Sequence, residues 1–365
     1  MTSGLIPCSG QNMRSEIYRI IDVNINRATE GVRVVEEICR FVLEDSKLTL
    51  ALKELRSSLS RVIRLSAYQM EAHQKIRISE KLIGERKAVE DIGRKFYPES
   101  EGRRGNIESI FQANMKRAQE AVRCLEEFSK LIKPHFGKAF KNIRFKLYEL
   151  EKQIAPRVSK AVKLDFDLYV VTDPRRNHLE TARRAVAGGA KIIQLRDKTI
   201  SKLAYCRLAK KIAKIAQKKN VTFILNDYWD LVRRVGADGV HLGQEDLAKF
   251  SIRRVRKELG ADKILGISTH SFNQAVKAEK LGADYISVGP IFSTPSKPGT
   301  KPVGLRLLRK VIKHLTIPVV AIGGIDKSKL PGIKKTGADR FAVIRAVLEA
   351  KDISQAVRSL RKAFC

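Results

Sequence analysis

Acidic residues are scarce in this chain. There are 39 Asp and Glu against 72 Lys and Arg, a formal net charge of +33. No apolar run approaches the length of a membrane span, and the first eleven residues carry neither the basic nor the apolar segment of a secretory leader. A cytoplasmic location without a membrane partner is therefore expected. The five cysteines, Cys8, Cys39, Cys124, Cys206 and Cys365, are scattered and odd in number. That excludes a disulfide framework and any paired metal spacing, and it fits a reducing compartment. Aromatic residues make up only 6% of the chain, no nucleic-acid motif is present, and the basic residues are spread through every helical stretch rather than gathered in a tail. Such a charge predicts non-specific attraction to polyanions at low salt. It suits steering of small anionic substrates better than specific nucleic-acid recognition. A nucleotide-kinase phosphate loop and a Ser-His-acid or Cys-His nucleophilic set are also missing.

What is present is enough chain, 365 residues, for two domains with sizeable cores. Residues 1–155 read as an all-helical domain. Ile21, Ile25, Ala28, Val32, Val35 and Cys39 recur at steps of three and four, as do Met115, Ala118, Val122, Leu125 and Phe128, each set forming one apolar stripe. The two stretches are copies: NINRATEGVRVVEE at residues 24–37 matches NMKRAQEAVRCLEE at residues 114–127. Six polar positions recur unchanged. Asn24, Arg27, Glu30, Arg33, Glu36 and Glu37 reappear as Asn114, Arg117, Glu120, Arg123, Glu126 and Glu127. A merely solvated face could exchange such residues freely, so these groups are expected to make specific contacts. Ion pairs at helical spacing are the favoured explanation. A pseudo-symmetric polar site, with arginines for a phosphate and carboxylates for a metal or an amine, is the alternative. Each copy precedes a second basic helix, around residues 52–63 and 140–154. Residues 90–93 and 101–105, including Arg103 and Arg104, connect the copies, and residues 156–166 read as the interdomain linker.

From residue 167 the period changes. Eight short apolar runs, at 168–172, 191–195, 222–225, 239–242, 263–266, 285–288, 318–322 and 340–344, alternate with helical patterns. The expected fold is α/β, a (β/α)₈ TIM barrel over residues 167–365, with a doubly wound open sheet as the alternative. Four strands share a Gly-Ala-Asp entrance, beginning at Gly236, Gly260, Gly282 and Gly337. In a barrel the chemistry lies at the carboxyl ends of the strands. Read there, the chain offers the cations Arg196, Lys198 and Lys297 for a diphosphate, and the carboxylates Asp227 and Asp246, on neighbouring strands, for Mg²⁺. The sixth strand opens into a long loop, GPIFSTPSKPGTKPVG, whose hydroxyls and lysines suit a phosphate ester. Gly323, Gly324 and the end of the eighth strand suit a second phosphate. Taken singly, Asp227 and Asp246 could equally cap helices. His241 reads as a satisfied interior histidine, and His270 is given no role. The combination points to metal-assisted departure of diphosphate, with a second phosphorylated substrate in the cradle.

These residues also carry a resemblance. YVVTDP at Tyr169, QLRDK at Gln194, ND at Asn226, GADGVHLGQEDL at Gly236, GIS at Gly266, GADYISVGPIFSTPSKPGT at Gly282, VGL at Val303 and AIGGI at Ala321 resemble, in order, the thiamine phosphate synthase family. The likeness covers residues 167–363. It implies a transferase that joins hydroxymethylpyrimidine diphosphate to thiazole phosphate, with Mg²⁺ as cofactor and small molecules as partners; it leaves a homo-oligomer open. Residue by residue, it implies that Gln194, Leu195, Arg196, Asp197, Lys198, Asn226, Ser268 and Lys297 bind the pyrimidine diphosphate, with Arg196, Lys198 and Lys297 stabilising the leaving charge. Asp227 and Asp246 would hold Mg²⁺. Thr294, Ser296, Gly304, Ile344 and Arg345 would bind the thiazole phosphate. Ser296 stands where the family often has threonine, and Arg345 where serine is frequent. A thiazole tautomerase of the same fold would not need the diphosphate and metal residues, and a non-enzymatic polyanion-binding protein would need none of the set. The NxxRAxEGxRxxEE stretch is similar to the helical extension fused to some bacterial members, grouped as a second-type hydroxymethylpyrimidine phosphate kinase.

Overall fold

The computed structural model describes residues 10–69, 104–296 and 299–364. The chain divides into two compact units between Val162 and Lys163.

In the first unit four helices are described: α1 (Gly10–Phe41), α2 (Ser46–Gln69), α3 (Ile107–Phe128) and α4 (Pro134–Lys163). The two repeated apolar stripes face each other. Ala28, Val32, Val35 and Cys39 of α1 and Met115, Ala118, Val122 and Leu125 of α3 are all buried in one core. The helices meet closely at Gly31, where an added Cβ would lie 2.7 Å from the Asn114 carbonyl oxygen. Burial pushes the Cys39 thiol up to about 12, which makes it an inert core residue.

The repeated polar residues make repeated contacts. Asn24 Nδ2 donates to the Ile20 carbonyl at 2.8 Å, and Asn114 Nδ2 to the Ile110 carbonyl at 2.9 Å. Glu36 is gripped by Arg33 on its own helix (3.2 Å) and by Arg56 of α2 (3.0 Å). Glu126 repeats this with Arg123 (2.9 Å) and Arg144 of α4 (2.7 Å). Burial opposes ionisation of Glu126, but the two guanidinium groups prevail and hold its carboxyl below the usual range. Each duplicated carboxylate thus ties its helix to the following one. Arg144 has a side chain only 14% exposed and Arg123 one 53% exposed, so their loss is expected to differ. Arg144→Ala should cost about 2 kcal/mol in urea unfolding, and Arg123→Ala less than about 1 kcal/mol.

The segment 156–166, expected as a linker, is helical through Lys163. Pro156 sits inside α4, although proline removes a helix N–H and crowds the carbonyl four residues back. Full burial of Ile154 and Val158 on either side holds the helix through it.

The second unit is a closed barrel of eight parallel strands in sequence order. They are β1 (Leu168–Val171), β2 (Ile192–Leu195), β3 (Thr222–Asn226), β4 (Gly239–Leu242), β5 (Ile264–Thr269), β6 (Tyr285–Val288), β7 (Val319–Ile322) and β8 (Phe341–Val343). The open-sheet alternative is excluded, since β1 pairs with β8. The Gly-Ala-Asp entrances stitch neighbouring strands: Asp238 accepts from the Phe223 N–H at 2.9 Å and Asp284 from the Leu265 N–H at 2.8 Å.

Side chains alternate strictly between two cores. Outward residues such as Leu168, Ile193, Phe223, Val240, Leu265 and Ile286 pack against the surrounding helices. Inward residues Tyr169, Ile192, Ile224, Ile264, Tyr285, Val320 and Ala342 fill the barrel. The same parity, continued to the carboxyl ends, decides which polar residues face the barrel mouth.

Candidate active site

A cavity of about 380 Å³ opens at the carboxyl ends of the strands. Its floor is a hydrogen-bonded chain of buried side chains. Gln194 Nε2 donates to Tyr169 Oη at 2.9 Å, and the Tyr169 and Tyr285 hydroxyls lie 3.0 Å apart. His241 Nδ1 is 2.9 Å from Tyr285 Oη, and His241 Nε2 is 2.8 Å from Ser268 Oγ. Burial raises both tyrosine hydroxyls well above their ordinary range, so they stay protonated. The floor is polar and pre-organised. His241 is a satisfied interior histidine, as its place in a strand suggested, yet it lines the cavity.

Gln194 and Arg196 face the cavity and Lys198 stands at its wall. The pleat turns the intervening residues away. Leu195 packs in the outer core and does not line the cavity. The Asp197 carboxylate is buried and saturated: it accepts from the Thr199 N–H (2.8 Å) and hydroxyl (2.7 Å) and lies 2.9 Å from His178 Nε2. Of the pyrimidine-diphosphate residues expected from sequence, the side chains of Leu195 and Asp197 are therefore directed elsewhere. Arg196 is steered by Asp173, whose Oδ2 lies 3.7 Å from its guanidinium. Asn226 and Ser268 line the cavity.

Asp227 follows inward-facing Asn226, and a continuing strand would send it outward. Its backbone turns left-handed instead, at φ 66°, and its side chain enters the cavity wall. It caps no helix: the next turn, Trp229–Leu231, begins after Tyr228 and has no side-chain cap. Asp246, in the short helix Gln244–Lys249, accepts from the Gly243 N–H at 2.8 Å, as a capping residue would, and stands near enough to the Asp227 carboxyl for its charge to act on it. Burial first, and then the Asp246 charge, push Asp227 up to about 6. Lys198 Nζ lies 3.8 Å from Asp227 Oδ2 and 3.8 Å from Glu245 Oε2. Two carboxyl groups this close call for a proton or a cation between them. Among the described residues no group of three or more His, Cys, Asp or Glu could hold a metal ion, and Asp227 and Asp246 are a pair of carboxylates. That donor set fits Mg²⁺, which usually keeps one or two carboxylates with phosphate oxygens and waters.

Across the cavity, Thr294, Ser296, Gly323, Gly324, Ile344 and Arg345 line the wall. Ser296 Oγ is buried and has no hydrogen-bond partner among the described residues, a hydroxyl left for a ligand. Gly304, the first residue of the helix Gly304–His314, does not line the cavity. Lys297 lies outside the described residues. His270, given no role from sequence, and Lys329 and Glu349, not singled out there, are lining residues too. Strand parity could have pointed to His241. No sequence signal marked Glu349, which follows the short helix Arg345–Leu348.

Residues 168–347 match the thiamine monophosphate synthase family, and residues 19–153 match the ThiD2 family. A thiamine-phosphate synthase from Synechocystis sp. is 38% identical over 346 residues, covering 94% of this chain and 95% of that protein. One from Thermosynechococcus vestitus is 36% identical over 360 residues, covering 98% of this chain and 96% of that protein. A solved thiamine phosphate pyrophosphorylase from Pyrococcus furiosus is 38% identical, covers 56% of this chain and 97% of its own, and superposes with a TM-score of 0.51. No helix among the described residues is long and apolar enough to cross a membrane.

Proposed function

The chain belongs to the thiamine-phosphate synthase family, and on that premise we propose how its barrel carries out the coupling of hydroxymethylpyrimidine diphosphate with thiazole phosphate to give thiamine phosphate and diphosphate. The observation that carries the assignment of residues is the Asp227–Asp246 pair with Lys198 beside it, at the wall of a cavity whose far side holds the Ser296 hydroxyl, unpartnered among the described residues. In this account Gln194, Asn226 and Ser268 hold the pyrimidine end over the polar floor. Arg196 and Lys198 hold the diphosphate, joined by Lys297. Asp227 and Asp246 hold Mg²⁺, which when bound neutralises the charge gathering on the departing diphosphate.

Breaking the bond between the pyrimidine methylene carbon and the diphosphate oxygen leaves a ring-stabilised cation. The thiazole nitrogen, brought up by Thr294, Ser296, Ile344 and Arg345 through the thiazole's phosphate, then forms the new C–N bond. Arg196 and Lys198 act where charge develops, and fixed cations placed there lower the barrier more than any other group in such a site. Expulsion of water by the bound substrates limits its capture of the cation. The substrates are the only partners this chemistry needs, and the cytoplasm is the compartment that suits them.

Product analysis with both substrates tests this reading. Thiamine phosphate and diphosphate should appear in equal amounts; a thiazole tautomerase would release no diphosphate, and that result would overturn it. A proton and Mg²⁺ compete for Asp227, so apparent Mg²⁺ affinity should weaken as pH falls through about 6. Mg²⁺ titrations of the activity at about pH 5 and about pH 7, one unit below and above that value, check this.

A further inference from the structure

Arg345 is the chain's own feature at the phosphate end of the cavity, and its surroundings differ from those of a permanently anchored arginine. Its guanidinium is held by Glu349, one turn along: Arg345 Nη2 donates to Glu349 Oε2 at 3.1 Å, and Nε donates to Oε1. Both residues line the cavity. Their side chains are partly solvated, at 37% and 53% exposure, so the pair is weak and exchangeable. Glu349 has a second partner in place, because Arg175 Nη1 lies 3.8 Å from Glu349 Oε1. Arg175 in turn donates to Asp173 at 2.6 Å, the carboxylate beside Arg196. A carboxylate shared by two arginines can release one without being left unpaired.

We propose that Arg345 is a specificity-determining clamp for the phosphate of the second substrate, held in reach of it by Glu349 and exchanged from that carboxylate onto the phosphate on binding. Glu349 is the positioning residue that stores it, with Arg175 taking up its charge. A phosphate accepts the same forked pair of N–H groups that Glu349 now receives, with more negative charge. The inference rests on the coupling reaction assigned above.

Steady-state kinetics of the full chain test it, with each substrate varied separately. Arg345→Ala should raise KM for thiazole phosphate about tenfold, equivalent to one good charged contact, and leave kcat and KM for pyrimidine diphosphate within about twofold. Glu349→Gln should lower KM for thiazole phosphate by about threefold, because the clamp is freed. With the dephosphorylated thiazole alcohol in place of the phosphate, neither variant should differ from wild type. Calorimetric titration of thiazole phosphate, with Mg²⁺ and diphosphate present, should give the same order of affinities without turnover. An Arg345→Ala protein with unchanged KM and affinity, or Arg345→Ala and Glu349→Gln shifting both in the same direction, would overturn the clamp while wild-type turnover left the parent reading standing. A wild type that binds thiazole phosphate in that order but forms no product would overturn the parent reading alone.

Discussion

Asp227→Ala should lower the rate of thiamine phosphate formation by about 10²–10³-fold, the range expected when a site loses the electrostatic support for a developing charge. The substitution removes one member of the Asp227–Asp246 pair proposed to hold Mg²⁺, and it leaves Lys198 with Glu245 as its remaining carboxylate. It should not unfold the protein. Burial and the Asp246 charge raise the folded-state pKa of Asp227 to about 6, above its value in an unfolded chain. The folded state therefore binds the proton more tightly, and stability contributed by this group is lost as pH rises through that window. At neutral pH the ionised carboxyl opposes folding, and its removal offsets the strain alanine meets at the left-handed backbone of this position, so the variant should melt within about 5 °C of the wild type. Thermal melts beside turnover measurements separate the two effects. A variant with full activity would remove Asp227 from the site.

Gly266→Ala should do the reverse, destabilising the barrel by about 3 kcal/mol, the upper end for overpacking a closed core. Gly266 pairs in register with Tyr285 on the next strand, and both face inward. An added Cβ would lie 2.2 Å from Tyr285 Cζ and 2.4 Å from its hydroxyl oxygen. The ring is fully buried and has no rotamer to move to without breaking the bonds of its hydroxyl to Tyr169 and His241. One methyl group therefore costs packing and the polar floor together. Loss of flexibility in the unfolded chain would offset well under half of this, about 0.4–1 kcal/mol. Urea unfolding followed by tryptophan fluorescence gives the value; an unchanged midpoint would show that Tyr285 yields freely.

The barrel was legible because its signals are local and repeated. Short apolar runs, helical spacers and four Gly-Ala-Asp entrances mark one unit after another, and the two helical copies expose their packing stripe by matching each other. The polar matches were legible as contacts but not as partners: Glu36 and Glu126 reach Arg56 and Arg144 on the next helix, which no spacing within one helix reveals. At the site, a strand-end list treats consecutive residues alike, while the pleat sends Gln194 and Arg196 inward and turns Leu195 and Asp197 out. Asp227 escapes that parity only through its left-handed backbone, a conformation the residue type permits but does not announce. Pro156 misled in the opposite way. Proline usually marks a boundary, and here the packing of its neighbours carries the helix on to Lys163.

The most direct test of the account is the rate at which the wild-type chain forms thiamine phosphate from the two substrates as free Mg²⁺ is varied. A carboxylate pair built to share a cation with a departing diphosphate predicts a saturable rise with Mg²⁺ and no product in excess chelator. The same rate with the metal chelated, or no product at saturating Mg²⁺, would contradict it.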